Sequence, residues 1–462
     1  MTTGALLDAL IEIAGISKTD FAMATYMAPS GLSLILSGKR LPAIKDKETF
    51  CLQAASALAV HIFEAHCYRK LNHLFPVIYD FHTQHELESF LQRALEYTLD
   101  RDWALAHEQD LDYPDYGKIY LGEQKILNTF CIFLSDQHTR YPDDNLETYS
   151  SLPIFNGQYP PFLRRLRFTA KNDTCRISLH QAIPMGTDMK TVIPGNPLNI
   201  IYALQDYCDL NFWQARIDIS ENLLLVKDRF LIIFDHLIDK SWSMSVIKHK
   251  SQVQNIYEEI KSRQDQLLSF DRDQFLERRK SGQSFYDKLM QLEITDVFTF
   301  TPICYSVTDE DLAQIESSAE DRRKLLAFFK KILEGDCRIY FSDLSLRAIA
   351  GEGRLLIPLH GTIDIPPSER MPYLNHVMQY ATKDAADDKF QLVYSSISRM
   401  WLVCTPELSI IYTIGHDLKN EKVHLFYGIN LGDNFRELIE QEGLETAAFN
   451  SDLWNDLRQK IG

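Results

Sequence analysis

Residues 16–42, ISKTDFAMATYMAPSGLSLILSGKRLP, constrain the fold more than any other stretch, because their start and stop signals leave room for only two short helices and a tight turn. Ser17 is a good N-cap with Asp20 three residues on, and Phe21, Ala22 and Thr25 share one face, which predicts a first helix over about 18–25. Pro29 is tolerated in the first turn of a second helix, and Leu32, Ile35 and Leu36 give it an apolar stripe. Gly38 then ends that helix, and Pro42 prevents a quick restart. The small Ala22 suits the contact point of two helices crossing steeply. The expected unit is a helix-turn-helix.

Lys18, Phe21-Ala22, Leu32-Ser33, Ile35-Leu36, Gly38-Lys39-Arg40 and Pro42 together resemble the Cro/XRE-type helix-turn-helix family, over about residues 5–63. Tyr26 stands where that family usually has the turn glycine, so a positive φ there would be strained, and Leu36 replaces a common acidic residue. The resemblance implies that the second helix enters the major groove of double-stranded DNA, with Ala28, Pro29, Ser30, Ser33 and Leu34 nearest the base edges. Lys18, Lys39 and Arg40 would hold phosphates and set register.

Charge fits such a polarity. Within residues 17–45, Lys18, Lys39, Arg40 and Lys45 stand against Asp20 alone, a net +3, whereas the whole chain carries −16 and the remainder therefore −19. An acidic body of that kind repels DNA everywhere except at its head. With 462 residues, 45% of them hydrophobic, the chain can bury two or three cores. Eight cysteines (51, 67, 131, 175, 208, 304, 337 and 404) are scattered without a C-x-x-C pair, which points to free thiols in a reducing cytoplasm. The start of the sequence does not read as a signal peptide, and the greasiest piece, 223–238, is interrupted by Lys227, Asp228, Arg229 and Asp235; the expectation is a cytoplasmic protein with no membrane contact.

The periodicity predicts a first helix over 5–14, a largely helical run over 46–75 that completes the head, and connector helices over 84–109 and 118–135. Leu87, Phe90, Leu91, Ala94, Leu95 and Leu99 exceed what a lone helix can bury, so the connector should pack on the body or on a second copy; a homodimer is expected, since helix-turn-helix proteins commonly bind paired half-sites about one DNA turn apart. Residues 141–161, with Pro142, Pro153, Gly157, Pro160 and Pro161, read as the boundary between domains. Beyond it come strands near 176–180, 213–219, 223–226, 230–234 and 242–247, then a long charged helix over 252–280. Residues 222–234 resemble 400–412 at a constant offset of 178, and Pro197-Leu198-Asn199 echoes Tyr373-Leu374-Asn375. Each copy reads as helix, four antiparallel strands, helix, like small-molecule sensor modules such as GAF or PAS in architecture alone. Residues 284–345, with a helix over 309–333, would join the copies.

The fold class expected is thus α+β and multidomain: a helix-turn-helix domain over 1–75, a helical connector over 76–140, and α+β modules over 155–283 and 284–462. Other constellations favour ordinary structure. His82, His85 and Glu86 suit a solvated helix start, Asp235, His236 and Asp239 a hairpin turn, and the clusters Arg164, Arg165, Arg167 and Arg278, Arg279, Lys280 a solvated surface. Gly351-Glu-Gly353 and Gly186-Thr-Asp lack the Lys-Ser/Thr of a phosphate loop, and no nucleophile-elbow, zinc-protease or calcium-loop pattern occurs. The chain therefore reads as a sequence-specific transcriptional regulator, not an enzyme, with no cofactor or metal and an unknown small-molecule or protein effector. An enzyme, or a phage-defence or lysogeny switch, carrying the same head as a regulatory appendage is the alternative.

Overall fold

The computed structural model describes residues 1–106, 118–140, 145–155, 159–169, 176–184, 196–205, 207–215, 222–280, 285–303, 305–315, 317–383, 389–394, 397–415, 421–428, 430–441, 446–448 and 455. Pro142, Gly157, Cys175, Gly186 and Cys304, singled out above, lie outside these residues, as does the end of the strand expected to reach 219. The protein is an α+β multidomain chain.

Four helices open it: α1 (Thr3–Ala14), α2 (Lys18–Ala24), α3 (Pro29–Leu36) and α4 (Lys47–Glu64), followed by a 3-10 turn, Cys67–His73. Thr2 and Ser17 cap the first two, each accepting from a backbone N–H three residues on. Leu6, Leu7, Leu10, Phe21, Ala22, Leu32 and Ile35 close into one core with Leu58 and Ile62 of α4. Gly4 lets α1 lie directly on α3, since a Cβ there would sit 2.4 Å from the carbonyl oxygen of Ile35.

Strand β1 (Val77–Tyr79) leads into α5 (Gln84–Ala106). Lys47 Nζ reaches Asp100 at 2.5 Å and Trp103 Nε1 donates to Pro42 O at 3.0 Å, tying α5 to the head. Leu87, Phe90, Leu91, Ala94, Leu95 and Leu99 are fully buried within this one chain. Of the two expected ways to cover this apolar face, packing within the chain is the one observed, and the face places no demand on a second copy.

The first sheet is built from β2 (Ile119–Leu121), β3 (Asn145–Ser150), β5 (Arg176–Pro184), β6 (Asp209–Ala215), β7 (Asn222–Val226), β8 (Phe230–His236), β9 (Trp242–Ile247) and β10 (Gln264–Leu267). Between them run α6 (Glu123–Arg140), β4 (Leu166–Phe168, paired with β1), α7 (Asn196–Leu204) and α8 (Lys250–Arg263). The order is β10-β6-β5-β3-β7-β8-β9-β2. β3, β5 and β6 are parallel and the others antiparallel, so four antiparallel strands was too simple.

The second sheet holds β11 (Ser269–Asp271), β12 (Asp296–Thr299), β13 (Arg338–Ser342), β16 (Phe390–Val393), β17 (Met400–Cys404), β18 (Leu408–Ile414), β19 (Glu421–Tyr427) and β20 (Thr446–Ala448). Its helices are α9 (Arg272–Lys280), α10 (Phe285–Gln291), α11 (Asp309–Leu312), α12 (Ala319–Glu334), α13 (Asp343–Glu352), α14 (Pro367–Lys383) and α15 (Leu431–Gln441), with a small ribbon of β14 (Arg354–Ile357) and β15 (Gly361–Asp364). Read as β20-β16-β13-β12-β17-β18-β19-β11, it repeats the order and the parallel or antiparallel sense of the first sheet, strand for strand.

The constant offset of 178 does not survive the geometry. Leu224 shares a face with Phe230, which packs on Phe133 of α6, while Leu402 is paired with Phe298, which packs on Phe435 of α15. The helices between parallel strands lie on the Leu224 face in the first sheet and on the Trp401 face in the second, where Trp401 meets Phe328 of α12. Matching the faces moves the first strand by one residue, and the hairpin loops differ by that one residue: three (227–229) in the first against two (Pro406 and Glu407) in the second.

Four further expectations change. Residues 118–135 are not one helix, because Gly122 takes φ +86° and frees Ile119–Leu121 to pair with β9. The helix expected over 252–280 breaks at Gln264, where pairing with β6 overrides helix propensity. Residues 141–161 contain β3, near the middle of the first sheet, and 284–345 contain β12 and β13 at the heart of the second, so neither is a linker. The first sheet accordingly starts upstream of 155 and the second upstream of 284.

The segment 264–271 is a seam. Leu267 pairs with Trp213, Leu268 N donates to Phe212 O at 2.8 Å, Leu425 N donates to Leu268 O at 2.8 Å, and Ser269 pairs with His424. One backbone hydrogen-bond ladder thus passes from sheet to sheet. Lys422 reinforces it, donating to Leu210 O at 3.1 Å and Asn211 Oδ1 at 2.8 Å and pairing with Asp209.

Candidate nucleic-acid interface

The turn between α2 and α3 is a Schellman closure: Tyr26 N donates to Met23 O at 3.1 Å, Met27 N to Ala22 O at 2.8 Å, and Tyr26 takes the left-handed conformation at φ 55°. Glycine does this job at most helix ends; here a tyrosine does it under strain. The end of α3 uses the same device with Gly38 at φ 70°, Gly38 N bonding Ile35 O and Lys39 N bonding Leu34 O. These two closures aim α3, and they place Lys39 and Arg40 just past its C-terminus.

Lys18, Ala28, Pro29, Ser30, Ser33, Leu34, Lys39 and Arg40 are all exposed, with the rest of the chain in place. Leu32 and Ile35, on the other face of α3, are buried. Leu34 is 40% exposed, an apolar side chain between two accessible hydroxyl-bearing positions. Lys18 is engaged with Asp8 at 2.6 Å, an exposed pair of small energetic weight that a phosphate can displace. Among the described residues Lys39 and Arg40 have no ion-pair partner.

Sequence reasoning missed that Met23, 62% exposed, and Tyr26, 87% exposed, stand out as apolar side chains on α2 and in the turn after it. The signal was available, since a tyrosine in a turn position that favours glycine has nowhere to bury its ring.

Where they are described, the other constellations make local structural contacts. Thr83 Oγ1 accepts from Glu86 N, and Glu86 in turn accepts from His82 N and pairs with Arg165 at 2.9 Å, so His82, His85 and Glu86 mark the entry to α5. Arg167 pairs with Asp80. Asp239 accepts from Ser241 N and closes the β8–β9 hairpin, beside which His236 packs on Trp242. Gly353 ends α13 at φ 68°. The side chains of Arg278, Arg279 and Lys280 lie outside the described residues. Among the described residues no cluster of His, Cys, Asp or Glu is placed to hold a metal ion, and no single helix is long and apolar enough to cross a membrane. Cys51, Cys67, Cys131, Cys208, Cys337 and Cys404 are free thiols; burial pushes that of Cys51 up to about 12.

No family model and no curated protein matches the chain. Among solved structures it is similar to TrmBL2, an archaeal chromatin protein described as showing a novel mode of DNA binding, at 11% identity and a TM-score of 0.19, over 47% of this chain and 91% of that one. So slight a likeness bears on neither fold nor function.

Proposed function

We propose that the chain is a DNA-binding transcriptional regulator of the helix-turn-helix type, in which α3 enters the major groove and the two-sheet body receives a signal. The observation that carries this reading is the division of α3: Leu32 and Ile35 point into the core, while Pro29, Ser30, Ser33 and Leu34 remain uncovered even with the whole body present. Ser30 and Ser33 can donate to or accept from several bases, Ala28 and Leu34 suit a thymine methyl, and Lys18, Lys39 and Arg40 suit phosphates.

The two sheets are read as copies of one module, an inference supported by their shared strand order. The function of the body is to bind an effector and change how the head meets DNA, and two such chains would read paired half-sites about one duplex turn apart. Fluorescence anisotropy with the DNA upstream of the protein's own coding sequence tests the reading, against a scrambled duplex of equal length. Preference for the upstream duplex supports it; equal or absent binding rejects it.

A further inference from the structure

The face of the first sheet that looks toward α6 and α7 is hollow. A cavity of about 120 Å³ lies there, floored by alternate residues of two parallel strands, Thr148 and Ser150 of β3 beside Leu179 and Gln181 of β5, and roofed by Phe130. The matching face of the second sheet is filled: Trp401 packs on Phe328 at 6.1 Å, Tyr305 lies against Phe329 at 5.4 Å, and Trp401 Nε1 donates to the Tyr305 hydroxyl at 2.9 Å. The fold therefore does not require the hollow.

Its walls are mostly apolar; Gln137 and His138 of α6 line one side, and on the floor Thr148, Ser150 and Gln181 can meet a guest. Gln181 spends both amide hydrogens on backbone, at Leu152 O (2.8 Å) and Ala182 O (2.9 Å), which leaves its carbonyl oxygen as an acceptor. The Thr148 hydroxyl makes no hydrogen bond among the described residues. Ser150 Oγ accepts from Leu152 N at 3.2 Å and keeps its hydroxyl hydrogen to donate. An apolar cavity of roughly 150 Å³ stays dry and takes up benzene, so this space fits one ring.

We propose that this cavity is a binding site for a phenol-class ligand, a single six-membered ring whose hydroxyl donates to Gln181 Oε1 and accepts from Thr148. Binding stands by itself; only its use as the effector signal rests on the DNA-binding reading above. The ring would cover apolar surface of the sheet and α6 together, and so couple the body to the helices that carry the head.

The test is calorimetric titration of the full chain with phenol and, separately, with benzene. One phenol per chain is expected, bound roughly tenfold more tightly than benzene, the worth of about one net hydrogen bond. Leu179→Phe, which fills the space, should abolish binding of both. The near-isosteric Thr148→Val should bring phenol down toward benzene, and it carries the test if Leu179→Phe does not fold. No heat from phenol at millimolar concentration with the native chain overturns the proposal, as does undiminished binding to folded Leu179→Phe. Benzene binding as tightly as phenol overturns the ligand class. Failure of the DNA reading is separately visible: phenol would bind while the upstream duplex did not, leaving the site intact and removing only its role as a signal.

Discussion

Ser269 Oγ lies 2.8 Å from Nδ1 of His424 inside the seam between the two sheets. Phe212 N donates to the same oxygen at 2.7 Å, so the Ser269 hydroxyl links the backbone of β6 to the imidazole ring. His424 is 1% exposed, and burial drives its pKa down to about 3. The seam thus holds a neutral imidazole.

That neutrality predicts a pH dependence. Between pH 6.5 and about 3 the unfolded chain binds a proton that folded His424 refuses, so stability falls as pH drops through this window, by about 1.4 kcal/mol per unit. Urea midpoints at pH 7.5 and pH 5 should show the native chain losing about 2 kcal/mol more than His424→Gln over that interval. Parallel pH profiles for the two proteins would contradict the assignment.

Gly4 sets the distance between α1 and α3. A methyl group there meets the carbonyl oxygens of Ile35 at 2.4 Å and Leu36 at 2.8 Å, neither of which can swing aside like a side chain. Gly4→Ala should cost about 1–3 kcal/mol despite alanine's better helix propensity, read as a lower melting temperature of the head. A variant as stable as the native chain would show that α1 is free to shift.

Tyr26 offers the opposite case. Its ring is 87% exposed and its backbone is left-handed, so Tyr26→Gly gives up little packing and relieves strain. A gain of about 1 kcal/mol is expected in thermal melts. A loss of stability would mean that the ring's packing outweighs the strain.

The α3 face carries the fourth prediction. Ser30→Ala with Ser33→Ala should weaken the preference for the upstream duplex over a scrambled one while leaving the salt dependence nearly unchanged, because hydroxyls that read bases release no counterions. Anisotropy at two salt concentrations separates the effects. A changed salt slope with intact preference would move these serines off the base-reading surface.

Local chemistry wrote the head plainly enough to be read. Ser17, Pro29 and Gly38 set helix ends within a residue or so, since caps act on their nearest neighbours. The body was legible only in part. The hairpins at 222–234 and 400–412 alternate clearly, but the parallel pairing of β3, β5 and β6 depends on partners dozens of residues away, and no local pattern records it. Gln264–Leu267 is polar and charged enough to pass for helix surface, and only the open edge of β6 decides otherwise. The one-residue slip between Leu224 and Leu402 has the same origin, because two apolar neighbours on a strand buried on both faces give no sign of which side each takes. At the interface, exposure of Ser30 and Ser33 follows from the helical period, whereas the exposed ring of Tyr26 follows from a backbone conformation.

The central claim is that the head holds duplex DNA through Lys39 and Arg40 while α3 reads it, and the salt dependence of binding tests it most directly. Affinity for the upstream duplex should fall steeply as salt rises, and replacing Lys39 and Arg40 with alanine should reduce the slope of log K against log salt by about 2, close to one unit for each phosphate that the head no longer neutralises. No salt-sensitive affinity for that duplex, or a slope unchanged in the double variant, would contradict it.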